Sequence, residues 1–236
     1  MKRVLISIVM IAAVAVMTCA QGVKRRVVDV GDFTRLALID DINVNYRCNP
    51  DSAGLAVFTC SQDISDRLIF KNGSNGRLNI QVRTDLVRLT ELPTVTVYSS
   101  SLVEAENAGD STLRINNLPA TDRFKVRLID NGKIIARKLR AGKLELQILS
   151  GKGTIIADGK CDELALRLVG AGEIQADNVV ATDVSCRIIG TGSMGCNVNG
   201  GDLKVSGSGT GKVYYKGRPN KVSVKKLGSV KAIPMD

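Results

Sequence analysis

Neither histidine nor tryptophan occurs in these 236 residues, and phenylalanine and tyrosine contribute only four each. Without histidine, His-ligated zinc sites and Ser-His nucleophile pairs are excluded. At 3% aromatic residues the core has to be assembled from small aliphatic side chains, which suits a narrow structure. Proline is scarce too, at five, and the six cysteines include no C-x-x-C pair of the kind that holds a metal. Beyond the N-terminal run, no stretch approaches the roughly 18 apolar residues of a membrane-spanning helix.

What the chain does contain is glycine, 23 residues of it, much of it at a fixed period. The phrase "LVGAGEIQADNVV" at 168–180 returns as "IIGTGSMGCNVNG" at 188–200, and related copies begin at Asn107, Leu128, Ile148 and Val205. Aligned, the copies form a column of Ser111, Gly132, Gly153, Gly172, Gly192 and Gly211, spaced 21, 21, 19, 20 and 19 residues apart. Two residues later stand Leu113, Ile134, Ile155, Ile174, Met194 and Val213, and a second apolar column runs Phe124, Leu144, Leu164, Val184, Leu203, Val222. Such self-similarity marks a repeat architecture. Apolar and polar residues alternate at period two within each copy, and no window keeps helical spacing over helical length. A unit of this size cannot bury its own apolar face, so copies must stack and share a core. The expected fold is all-β, a parallel β-helix or β-solenoid with one coil of about 20 residues per copy, stacked about 4.8 Å apart.

The regular coil is expected over 107–236. Residues 33–106 are β-rich but out of period: "FTRLALIDDINVNYRC", "GLAVFTC", "GRLNIQVR" and "PTVTVYSS" read as strands and "CSQDISDRLIF" allows a short helical turn. Because solenoid ends need covering, this segment is expected to be an irregular N-terminal cap with the opening coils, preceded by a flexible segment at 21–32. Residues 1–20 read as a signal peptide. Lys2 and Arg3 precede an apolar run from Val4 to Met17, and "TCA" ends at a small-residue cleavage site after Ala20. The alternative is lipoprotein processing at Cys19. The expectation is an exported protein, in the periplasm or at the cell surface.

Cleavage after Ala20 leaves 31 basic and 23 acidic residues, a net charge of +8. A basic exported protein meets anionic glycans, lipid head groups or acidic proteins more readily than nucleic acid, with plain solubility the simpler reading of the charge. Cys48 and Cys60 flank an expected hairpin and are a candidate disulfide. Cys186 and Cys196 occupy apolar columns and read as small buried core residues.

The repeat register also sorts the outward side chains. Arg127, Gln147, Arg167, Arg187, Ser206 and Lys225 fall in one column, so stacking would place like charges as neighbours. Arg127, Arg167, Arg187 and Lys225 are therefore candidate ligand-binding residues for carboxylate or phosphate groups, although solvent or carboxylates such as Glu145 would also offset the repulsion. The column Arg123, Lys143, Glu163, Asp183, Asp202 and Lys221 has an acidic stretch that reads as a solvated turn face, with a calcium site as the alternative. Ile135 and Ile156 fall on successive rungs as outward aliphatics, a candidate oligomer contact.

The segments "FTRLALIDDINVNYRC", "GRLNIQV" and "PTVTVYSSSLVEAENAGDSTL", with the G-x-G rungs that follow, resemble the head GIN domain family of auto-transporter adhesins, over residues 33–215. The resemblance implies a right-handed β-helical exported protein of Bacteroidetes type, with no catalytic residues to carry over and no cofactor. Where family members have "GSGD" this chain reads "NAGDST", and no run of barrel-length strands follows the solenoid before Asp236. The leading functional expectation is a non-catalytic envelope binding or adhesion module for a glycan, lipid head group or protein. The alternative is a structural or assembly protein, including a homo-oligomer. A polysaccharide-active enzyme is the third class, with Glu163 and Asp183 its one candidate carboxylate pair.

Overall fold

Alternation sends every second side chain to the inside of the coil, and the glycine corners return the chain to its starting side about twenty residues later. The computed structural model, which describes residues 22–83 and 92–235, is accordingly an all-β solenoid of about seven turns. The expected signal peptide, with Cys19 and Ala20, lies outside the described residues.

Each regular coil has three sides. The first side carries Phe124, Leu144, Leu164, Val184, Leu203 and Val222, which pair rung to rung in parallel strands. The second carries Leu113, Ile134, Ile155, Ile174, Met194 and Val213, again in one row. A short third side closes the coil through Ala141, Cys161 and Ala181. All of these first- and second-side residues except Val222 are buried. Burial of an aliphatic side chain of this size stabilises by about 1.5–3 kcal/mol, and it is complete only where a rung lies on both sides.

The corner between the first and second sides is where rungs approach most closely. Gly151 and Gly190 sit there at φ +81° and +124°, a region that side chains with a Cβ rarely adopt. Two residues on, the constraint is space: a Cβ on Gly192 would stand 2.3 Å from the carbonyl oxygen of Gly172. The corner amides use that proximity, Thr191 N–H donating to Gly170 O at 3.0 Å and Ser193 N–H to Gly172 O at 3.1 Å. At the first corner, "NAGDST", side chains of the neighbouring rung take the place of those carbonyls, Asp41 Oδ1 accepting the Asp110 amide at 2.6 Å and Asn43 Oδ1 the Thr112 amide at 2.9 Å. The fully buried Asn107 braces the corner from within, its Nδ2 donating to Ser111 O at 2.9 Å and its Oδ1 accepting Gly109 N–H at 3.2 Å.

The N-terminal third departs from sequence order. The first rung in sequence, Arg35–Leu38 with Val44–Cys48, lies between Arg77–Val82 with Val95–Ser99 on one side and Glu104–Asn107 with Thr112–Asn116 on the other. The chain steps over it between Ser99 and Glu104. Asp32 holds the crossing, accepting from both the hydroxyl and the amide of Ser100, while Val103 N–H donates to Thr34 O at 2.8 Å. Antiparallel strands then cover the end: Leu55–Cys60 on Val95–Ser99, Leu68–Gly73 on Arg77–Val82 and Lys24–Asp29 on Leu55–Cys60. Residues 24–29 are thus an ordered strand rather than the flexible lead-in expected for 21–32. The expected helical turn is present at Gln62–Ser65.

The two ends differ. In the last described rung, Lys221–Gly228 with Lys231–Pro234, the inward Val222 and Val224 remain 39% and 41% exposed. Glycine's two roles separate by mutation. Gly192→Ala, forced against a backbone carbonyl, is expected to lower the free energy of unfolding by about 1–3 kcal/mol from overpacking. Gly200→Ala at φ +91° has nothing within 4 Å of the new Cβ and carries only the backbone penalty of roughly 1–2 kcal/mol. Urea unfolding of both variants checks this, with the larger loss expected at Gly192.

Candidate functional site

The outward column of the first side forms as the repeat register predicts. Arg127, Gln147, Arg167, Arg187, Ser206 and Lys225 are paired rung by rung. Their electrostatic surroundings differ along the row. Arg127 is neutralised, its Nη1 lying 3.0 Å from Glu104 Oε1 and 3.2 Å from Glu106 Oε2. Arg167 and Arg187 are exposed direct neighbours with no ion pair among the described residues. Lys225 is exposed on the last full first-side strand, separated from them by Ser206. Glu145 serves Arg123 and Lys125 instead, and accepts from Gln147 Nε2 at 3.3 Å.

The other sequence candidates fall as follows. Ile135 and Ile156 are half-buried register partners on the second side. In the acidic column, Glu163 pairs with Lys143 at 3.1 Å and Asp183 accepts the Asp202 amide at 2.9 Å. No cluster of three or more His, Cys, Asp or Glu among the described residues has metal-holding geometry. Cys48 and Cys60 are both free thiols. The hairpin expected between them is not formed, because Val95–Ser99 pairs with both strands and lies between them. Cys48 stands level with Ser99, whereas the antiparallel register carries Cys60 past the opposite end of that strand. Cys186 and Cys196 are buried in the core; the neighbouring Cys196 thiol, then burial, pushes the Cys186 thiol well up.

The third side holds what the sequence did not disclose. Its short strands, with Gly142, Gly159 and the small side chains of Ala141 and Cys161, leave an open groove of about 1140 Å³ running along the solenoid. A second hollow of about 550 Å³ continues it toward the N-terminal cap, sharing Ala120, Lys138 and Arg140. Arg140 and Lys160 are register partners in the groove, and Asp122 and Asp162 also line it. At its edge Arg137 and Lys138 oppose the single residue Asp158, a β-bulge. Lys138 adopts φ +56°, unusual outside glycine. Asp158 fastens this bulge, accepting from Arg137 Nη1 at 2.8 Å and from the Lys138 amide. The only sequence signal for it is the extra residue that lengthens this repeat to 21.

Comparison with known proteins agrees with this architecture. The family model described as "Putative auto-transporter adhesin, head GIN domain" matches residues 32–219. A "putative adhesin" of Bacteroides fragilis superposes with a TM-score of 0.82 at 21% identity, over 92% of this chain and 98% of that one. A "Putative lipid binding protein" of Parabacteroides distasonis gives 0.74 at 19%, over 92% and 98%. A "putative adhesin" of Parabacteroides merdae gives 0.67 at 20%, over 91% and 96%. At these identities the likeness establishes the fold. No curated protein matches the chain. No helix among the described residues is long and apolar enough to cross a membrane.

Two predictions follow from the groove's chemistry. Burial pushes the Asp158 carboxyl up, but the Lys138 amide and the Arg137 guanidinium outweigh it and hold the carboxyl below its ordinary value of 3.8. A carboxyl depressed on folding contributes stability that is fully present above its unfolded value and is lost as pH falls through the lower folded one. Urea unfolding should therefore show the wild type more stable than Asp158→Asn from about pH 5 to 7, with the difference shrinking as the pH falls below the ordinary carboxylate value. Burial, reinforced by the charge of Asp162, pushes the Cys161 thiol up to about 12. Although it lines the groove, it should resist iodoacetamide at pH 8 in the native protein and react on unfolding, as read by peptide mapping.

Proposed function

We propose, on the premise that this chain belongs to the head GIN domain family of auto-transporter adhesins, that it is an exported, non-catalytic binding module of the cell envelope. Its ligands on this reading are anionic groups of surface molecules, and Arg167 and Arg187 on the first side are the residues that meet them. The observation that carries the proposal is the rung-to-rung pairing of these two exposed arginines without an ion pair among the described residues, where Arg127, in the same row, is neutralised by Glu104 and Glu106. Two forks one rung apart are spaced to engage neighbouring carboxylates or phosphates. The names carried by the solved relatives, adhesin and lipid-binding protein, are in keeping with a surface-directed role.

A structural or assembly role is the second reading, favoured by Val222 and Val224 left partly exposed on the last described rung. The half-buried Ile135 and Ile156 offer a smaller lateral contact for a homo-oligomer. A hydrolase or lyase has less support, since Glu163 is engaged by Lys143.

The test is binding of the chain from residue 21 to 236 to an acidic glycan array and to phosphatidylglycerol vesicles, at low and high salt. Binding to the vesicles that weakens with salt and falls at least tenfold in the double variant Arg167→Glu, Arg187→Glu is the expected result, the glycan array reporting separately on any other site. Binding that survives this charge reversal overturns the role of the pair. Absence of binding on both surfaces, with dimers or larger species in light scattering that Val224→Asp dissolves, replaces it with the assembly reading.

A further inference from the structure

We infer that the groove on the third side is a second, separate binding site, and that it takes an extended acidic polysaccharide laid along the solenoid axis. The inference stands on the groove alone and does not depend on the guanidinium pair of the first side.

Its geometry supplies the argument. The groove and the hollow that continues it are contiguous through Lys138 and Arg140, so the concavity spans several rungs and is open along its length. That shape fits a chain molecule. An acyl chain lying in it would stay wetted on one side, whereas a hydroxylated chain gains from remaining in water. Arg140 and Lys160 face into it as register partners about 4.8 Å apart, close to the length of one pyranose unit, and neither has an ion pair among the described residues. Carboxylates of a polyuronate chain would meet them.

The neighbouring aspartates narrow the ligand further. Asp122 and Asp162, which line the same groove, would repel a bare polyanion, but they accept hydrogen bonds from hydroxyls. A ligand bearing both carboxylates and hydroxyls satisfies cations and aspartates alike, which a polyphosphate cannot do. The bulge adds a built feature. Lys138 is held in a strained left-handed conformation by the Asp158 carboxylate at the junction of the two hollows. Bulges of this kind re-aim side chains beside binding sites, and this one brings a third cationic side chain to the junction.

The experiment is calorimetric titration of the protein with a linear tetragalacturonate, an uncharged cellotetraose and inorganic polyphosphate of similar length. Tetragalacturonate is expected to bind with a salt-dependent affinity that exceeds both controls by at least tenfold. The double variant Arg140→Glu, Lys160→Glu should lose it at least tenfold, while Arg167→Glu with Arg187→Glu stays within twofold of wild type. Because Arg140 and Lys160 are exposed, Arg140→Gln with Lys160→Gln serves as a milder pair should charge reversal disturb folding, and a smaller loss is expected there. No binding by the wild type, equal binding of polyphosphate, or loss through the first-side variant in place of the groove variant each overturns the assignment. The last outcome would leave the first-side proposal standing, so the two ideas fail separately.

Discussion

The whole solenoid depends on direct contact between the backbones of successive coils at the glycine corners. With no Cβ at Gly172 and Gly192, the carbonyl of one rung lies where a side chain of the next would otherwise be, and the corner amides close the distance with hydrogen bonds. That contact removes freedom to slip. A one-residue shift would both turn the apolar row outward and drive a Cβ into a carbonyl, so alternation and corner reinforce a single register. The first corner shows the requirement from the other direction: where the neighbouring rung lacks the glycine phrase, the Asp41 and Asn43 side chains accept the corner amides of Asp110 and Thr112 instead.

Locked register has an electrostatic consequence. Every outward position becomes a ladder, and two like charges about 4.8 Å apart repel by roughly 0.9 kcal/mol in water, less when long side chains splay. The fold relieves many such neighbours. Arg123 is offset by Glu145, Lys143 by Glu163, Arg127 by Glu104 and Glu106, and Arg137 by Asp158. Against that background Arg167 with Arg187 and Arg140 with Lys160 stand out. The repulsion in each pair is too small to compel a ligand, so their interest lies in placement: one pair on an open side of the coil, the other inside a concavity where solvent screens less.

The regular coils were legible because glycine spacing and period-two alternation are local signals that repeat. The column from Arg127 to Lys225 could be placed residue by residue for the same reason. What failed was non-local. Nothing between Phe33 and Ser99 announces that the first rung receives Arg77–Val82 on one side and Glu104–Asn107 on the other. Cys48 and Cys60, twelve residues apart, look like the ends of a hairpin only until a strand from residues 95–99 is seen between them. The groove escaped for another reason. It is made by small residues and by one extra residue at a corner, and in sequence Arg140 and Lys160 are indistinguishable from any solvated cation.

The interleaved rung also constrains how the fold can be reached. A solenoid with rungs in sequence order can grow from any coil to its neighbour. Here Arg35–Leu38 finds one partner about 40 residues downstream and the other about 70, and both must be in place before it is enclosed. Closing such loops costs entropy before contacts reward it. The regular coils, whose partners lie about 20 residues apart, can therefore form ahead of the cap and offer Glu104–Asn107 as an ordered edge. On that order the N-terminal strands assemble last, against a finished template, and the Asp32–Ser100 clasp at the crossing is made only once the chain has stepped over the enclosed rung.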